Sequence, residues 1–250
     1  MGENSLGRVN STVAQSLHGL ARWYHLYEQD TQDQSFYEQS LAIRKAIFGD
    51  LHPEVAQTLN NLAHLAERQG HYEQARRLHQ QALELRQHLL ISQHPSIAES
   101  FTGLGILNIH QGYYSQAEQQ LKKALTISKH SLGEQHPQIA TILYLLGSLS
   151  LHQGAYSRAQ PLLTRALEMQ LMFFEPTHPI VAYTLNNIAL LHKAQNHCAQ
   201  AQMFFEQALS ILTEVFEAHH RNVRFVSGNY KAFLKMQRSG GCGGCQSCRP

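Results

Sequence analysis

The chain has 250 residues, 43% hydrophobic and 15% charged, with 20 basic against 18 acidic side chains and a formal net charge of +2. That length can bury a substantial core, and near-balanced charge without a block of one sign argues against a polyanionic partner such as nucleic acid. The opening MGENSLGRVN lacks the basic-then-apolar order of a secretory signal, and no run approaches the roughly 20 apolar residues that span a bilayer, so a soluble cytoplasmic protein with no membrane partner is expected.

Residues 1–9 read as a linker remnant or flexible start. SLGRVNSTVA (Ser5 to Ala14) aligns with SLGEQHPQIA (Ser131 to Ala140), so the chain is expected to begin inside a linker of a longer array. From there a 42-residue period runs without insertion or deletion through repeats at 10–51, 52–93, 94–135, 136–177 and 178–219. His-Pro pairs open four of them: His52-Pro53, His94-Pro95, His136-Pro137 and His178-Pro179. Within a repeat, Val55, Leu59, Leu62, Ala63 and Ala66 fall on one helical stripe, and Tyr72, Ala75, Leu78, Ala82, Leu85 and Leu89 on another. Between such stripes stand Gly70, Gly112, Gly154 and Asn196, residue types that accept the left-handed conformation ending a helix. The columns Ala75, Ala117, Ala159, Ala201 and Ala82, Ala124, Ala166, Ala208 are small enough for two helices to approach closely.

Each repeat is therefore expected to be helix, tight turn, helix, in an all-α fold. The first repeat is less regular: Glu28, Asp30, Asp33 and Ser40 replace the usual Gly, Tyr, Ala and Ala, so its second helix is expected to be shorter or looser. Residues 220–238 should form a capping helix with Val223, Phe225, Tyr230, Phe233 and Leu234 as its apolar positions. Residues 239–250 form a Gly/Cys-rich tail expected to be disordered.

These columns, with the aromatics Tyr72, Tyr114 and Tyr156 after the glycine turn, resemble the tetratricopeptide repeat. HPEVAQTLNNLAHLAERQGHYEQARRLHQQALEL and HPIVAYTLNNIALLHKAQNHCAQAQMFFEQALSIL, with Pro161 early in a second helix, are similar to the 42-residue variety of kinesin light chains and many bacterial proteins. The resemblance covers about residues 10–237 and implies a right-handed superhelical solenoid of about five repeats. In this family the first helices line a concave groove that holds extended peptides.

That implication turns attention to the stripe Gln57, Asn61, His64 and Arg68. Its counterparts are Gly103, Ile106 and His110; Leu145, Ser148 and His152; and Asn187, Leu190 and Ala194. By resemblance Asn61 and Asn187, with Asn60 and Asn186 on the flank, would pair with the main chain of a bound peptide, since an amide both donates and accepts. The alternative is that these asparagines are solvated or contact the next repeat. Tyr144, Ile106 and Leu190 would supply apolar contact, and Arg68 and Lys193 could meet a carboxylate.

A histidine ladder of metal ligands is not expected from the His-Pro pairs. Repeats stack roughly 10 Å apart, whereas a Zn–N bond is about 2.0–2.1 Å. The pairs read instead as helix starts, because proline suits the first turn. No glycine-rich phosphate loop, hydrolytic triad or isolated carboxylate pair is visible, so neither enzymatic activity nor a cofactor is expected. Cys242, Cys245 and Cys248 are the remaining candidates for metal or thiol chemistry, though a closed site generally needs four ligands. The expectation is a non-enzymatic scaffold for a protein or peptide partner, with a monomer as the default. Its alternatives are a metal- or thiol-responsive tail, or the sensor array of a larger signalling NTPase.

Overall fold

The computed structural model describes residues 3–26 and 30–239, with side chains placed for residues 10–21 and 33–239. Among the described residues there are helices and no strands: α1 (Glu3–Leu26), α2 (Asp30–Phe48), α3 (Pro53–Arg68), α4 (Tyr72–Leu89), α5 (Pro95–His110), α6 (Tyr114–Leu132), α7 (Pro137–His152), α8 (Tyr156–Phe173), α9 (Pro179–Ala194), α10 (Cys198–Val215) and α11 (Arg221–Arg238). They divide into two compact units, Met1–Leu132 with α1 to α6 and Gly133–Pro250 with α7 to α11. In the first unit α1 packs on α2, α3 on α4 and α5 on α6, while α2 and α4 also pack on the first helix of the following repeat. The second unit repeats this scheme with α7 on α8 and α9 on α10, α8 packing on α9 and α10 on α11.

The His-Pro pairs start α3, α5, α7 and α9, with proline in the first turn. The imidazole takes an active part. Nδ1 of His52, His94, His136 and His178 accepts the backbone N–H of Glu54, Ser96, Gln138 and Ile180 at 3.1–3.2 Å. This is the work an Asp or Ser usually does at an N-cap, and it requires a lone pair on Nδ1, which puts the ring proton on Nε2. His220 caps α11 in the same way, accepting from Asn222 N at 3.3 Å, although Arg221 has replaced the proline. Three of these rings also lie against the aromatic residue four positions earlier: Phe48 on His52, Phe174 on His178 and Phe216 on His220. Replacing His94 by alanine is expected to lower stability by about 1 kcal/mol; a urea midpoint unchanged from the parent would show that the cap is dispensable.

Each first helix from α3 onward ends as its turn residue requires. Gly70, Gly112 and Gly154 have φ of 81°, 77° and 71°, and Asn196 has 61°. The residue after each returns its N–H to the first helix: His71 to Ala66 O, Tyr113 to Asn108 O, Ala155 to Ser150 O and His197 to His192 O, at 2.8–2.9 Å. These are Schellman closures, which satisfy carbonyls that the helix end leaves open.

The small columns are where the helices meet, and the alanines of both are fully buried. A Cβ on Gly105 would lie 2.8 Å from Leu121 Cδ2, and one on Gly147 would lie 2.8 Å from Leu163 Cδ2. At two equivalent positions one and two repeats away, Ala21 and Ala189 carry a methyl group, and the partner in the core is an aromatic ring, Tyr37 and Phe205. A flat ring leaves room for a methyl group; a branched leucine does not.

Three expectations need amendment. Helix α1 begins at Glu3, ahead of the repeat boundary at residue 10. Helix α2 is not short: it has 19 residues, as does α6. Of its polar substitutions, Asp33 Oδ2 pairs with Arg68 at 2.7 Å and Ser40 Oγ donates to Ala14 O at 2.8 Å, while Glu28 and the Asp30 side chain lie outside the described residues. In α11 it is Val226, with Val223 and Phe233, that is buried, while Phe225 is 62% exposed. Residues 223, 226 and 233 share a helical face, and 225 is turned away from it.

A further buried column escaped periodicity altogether. Arg44 and Arg86 are each 3% exposed and reach from one repeat into the first turns of the next. Arg86 donates to Ser96 O at 2.6 Å and Ser100 Oγ at 2.9 Å, and pairs with Glu99 at 3.2 Å. Arg44 treats Glu54 O, Thr58 Oγ1 and the Glu54 carboxylate in the same way. In the second unit the equivalent pairs are Gln170 with Thr184, bonded at 2.7 Å, and Leu212 with Val226, both fully buried in one apolar cluster.

Candidate functional site

The first helices are buried on most of their circumference. On α3 the residues that retain solvent contact include Gln57, Asn61, His64 and Arg68, the stripe at four, three and four spacing. In the same unit α5 lies beside α3 and presents Thr102, Ile106 and His110, with Gly103 buried. In the second unit α7 lies beside α9; α7 presents Thr141, Tyr144, Leu145, Ser148 and His152, and α9 presents Tyr183, Leu190 and Lys193. The predicted side chains thus occur on the first helices, with exceptions at the asparagines.

Asn60 and Asn186 are buried, and Asn187 is 7% exposed. Asn61 Nδ2 donates to His18 Nε2 at 3.0 Å, and Asn229 Nδ2 donates to Asn186 Oδ1 at 3.1 Å. Both bonds join residues 43 apart in sequence, one helical position beyond a full repeat, so they tie the first helices of successive repeats together. Asn187 stands at the same offset from Tyr144. The two side chains meet, and Asn187 Oδ1 accepts from Asn186 Nδ2 at 3.4 Å. Burial pushes the Tyr144 hydroxyl up to about 12, which keeps it a neutral donor.

Around α3 and α5 the site is charged. The Glu67 carboxylate, 6% exposed, meets His110 Nδ1 at 2.9 Å and His64 Nδ1 at 3.6 Å. Burial alone would raise its pKa, but the hydrogen bonds and charge of the two histidines outweigh this and hold it below the usual carboxylate range. His79 on α4 is fully buried edge-on to His64, with ring centroids 4.8 Å apart. Its Nδ1–H donates to Asn60 Oδ1 at 3.0 Å, and burial lowers its pKa to about 3. Arg68 is committed to the buried Asp33 at 2.7 Å, so one predicted carboxylate reader already has a carboxylate within the fold.

His18, Glu67 and His79 were not singled out by helical periodicity. The signal that finds His79 is a break in its column, where the other repeats carry Tyr37, Leu121, Leu163 and Phe205. Glu67 likewise stands where α5 and α7 have Ile109 and Leu151. Cys242, Cys245 and Cys248 lie outside the described residues. No helix among the described residues is long and apolar enough to cross a membrane.

Comparison with known proteins accords with this architecture. The tetratricopeptide repeat family model matches residues 12–88, 67–130, 96–172 and 138–214. A comparison with curated proteins returns no match. Among solved structures, BtubC (BKLC) from P. vanneervenii is similar with a TM-score of 0.59 and 21% identity over 97% of this chain and 89% of that one. A putative kinesin light chain with nearly identical TPR-like repeats from Podosopora anserina gives 0.60 and 24% over 83% and 98%. A Rap protein complexed with Competence and Sporulation Factor gives 0.62 and 16% over 90% and 64%. At these identities the structural likenesses speak to the fold, and the family match extends over most of the sequence: the chain belongs to the tetratricopeptide repeat family.

Proposed function

We propose that this chain is a non-enzymatic scaffold that holds an extended segment of a protein partner along the exposed stripes of its first helices. Tetratricopeptide repeats generally serve protein–protein interaction, and the structurally similar Rap protein was crystallised with a bound factor. The observation that carries the reading is the row of side chains that keep solvent contact along the first helices, Asn61, His64 and Arg68 on α3 and Tyr144, Ser148 and His152 on α7. On α7 and α9, Ser148, His152 and Lys193 offer polar contacts and Tyr144 and Leu190 apolar ones. In the first unit Asn61, His64, Arg68, Ile106 and His110 form the corresponding surface. Asn60 and Asn186 act from beneath, by fixing the side chains above them.

Extended peptides selected by display on the full-length chain provide the test, with affinity read by fluorescence anisotropy. Asn187→Ala and Leu190→Asp are each expected to weaken binding by roughly tenfold or more, and Arg165→Ala on the exposed side of α8 to leave it unchanged. Selected peptides that bind both groove variants as tightly as the parent would sink the proposal.

A further inference from the structure

The second repeat departs from its neighbours in a concerted way. His79 occupies a position that carries Tyr, Leu, Leu or Phe in the other repeats, Glu67 one that carries Ile or Leu in the two repeats that follow, and both lie next to His64. These three side chains, from α3 and α4, can each present one donor atom so that all three atoms lie within 4.8 Å of one another. His110, from α5, already contacts the Glu67 carboxylate at 2.9 Å.

We propose that His64, Glu67 and His79 form a binding site for a divalent transition-metal ion of the zinc class, with His110 holding the carboxylate in place. The arrangement around His79 points to a ligand. Its Nδ1–H is committed to Asn60 Oδ1 at 3.0 Å, so Nε2 must carry a lone pair, and Nε2 is buried without a hydrogen-bond partner. A metal-bound histidine typically has its second nitrogen anchored on a carbonyl or carboxylate, which fixes both tautomer and ring orientation. Asn60 supplies that anchor. Space for the ring comes from Gly103, where a Cβ would stand 2.4 Å from His79 Cε1.

The donor set suits the ion. Two imidazoles and one carboxylate match zinc, which takes nitrogen and oxygen donors and leaves a fourth position for water or another ligand. Bond lengths of 2.0–2.1 Å place tetrahedral donors roughly 3.4 Å apart. His64 is 34% exposed, so its ring has room to turn toward the other two donors. A bound ion would tie α3 to α4 and, through Glu67 and His110, to α5. An ion pair among Glu67, His64 and His110 would need no histidine at position 79. The site is independent of the peptide-binding proposal, because metal alone is the ligand tested.

The experiment uses the full-length chain with Cys242→Ser, Cys245→Ser and Cys248→Ser, so that the tail cannot bind metal. Chelator-stripped protein is titrated with Co²⁺ and then displaced with Zn²⁺. One equivalent of Co²⁺ is expected, with visible ligand-field bands and no thiolate charge-transfer absorption. In that background His64→Ala should weaken binding by roughly 100-fold or more and Asn60→Ala by roughly 10–100-fold. His130→Ala, at the exposed end of α6, should change nothing, and circular dichroism checks that every variant is folded. Absence of stoichiometric binding, or equal affinity in folded His64→Ala and the parent, would overturn the site. So would a loss in His130→Ala as large as that in His64→Ala.

Discussion

Replacing Arg86 by leucine is expected to destabilise the protein by roughly 3–5 kcal/mol, and adding Ser100→Val to that variant is expected to recover most of the loss. Arg86 is 3% exposed and bridges Ser96 O, Ser100 Oγ and Glu99 between consecutive repeats. Leucine in its place removes the donor and leaves the Ser100 hydroxyl fully buried beside an apolar side chain. Glu99 is 51% exposed and returns to water at little expense. The chain already contains the apolar solution at the equivalent position: Leu212 faces Val226 in a fully buried cluster. Breaking a buried polar network on one side is far worse than exchanging both sides for hydrocarbon, which can be neutral or stabilising. Urea midpoints of the parent, the single and the double variant test this. A single variant as stable as the parent, or a double variant no better than the single, would contradict it.

Acid is expected to destabilise the metal-free protein through His79 well before carboxylate titration is complete. Burial is the main cause of its lowered pKa, with His64 and Arg86 lowering it further and Glu67 opposing them; the outcome is about 3 against an ordinary value of 6.5. Between those values the unfolded chain takes up a proton that the folded chain refuses, so stability is complete above about pH 6.5 and declines as pH falls. The slope for this one group approaches 1.4 kcal/mol per pH unit, accumulating to roughly 4 kcal/mol by about pH 3.5. Glutamine at position 79 keeps a donor for Asn60 and removes the titration, so His79→Gln is expected to show a markedly flatter dependence of stability on pH. Denaturant melts between pH 7 and 4 decide the matter; parallel curves for the two proteins would rule out His79 as the source.

Most of the secondary structure was legible because it depends on residues close together in the chain. His-Pro before each first helix and Gly or Asn after it constrain local backbone angles, and the observed boundaries at Pro53, Pro95, Pro137 and Pro179 follow from them. Even so, composition alone credited the proline with a task that the imidazole shares, as His220 makes plain by capping α11 without one. The asparagines were harder to place. LNNLA and LNNIA look alike as strings, yet Asn61 bonds to His18 whereas Asn187 meets Tyr144. The difference lies in what the preceding repeat offers at a separation of 43 residues, and helical periodicity within one repeat carries no information about that.

By itself, then, the sequence determined the 42-residue period, the helix pairs and their turns, and the small columns on which the pairs close, all of which rest on local backbone preference and on apolar spacing along single helices. Only the tertiary structure decided which polar side chains face one another: Asp33 with Arg68, Arg86 with Ser100, Asn60 with His79, and Glu67 between His64 and His110. Those pairings depend on the rotation of each helix about its axis and on the offset between repeats. Both are set by packing many side chains at once, so a polar residue within a helix acquires its role only when the neighbouring helix is in place.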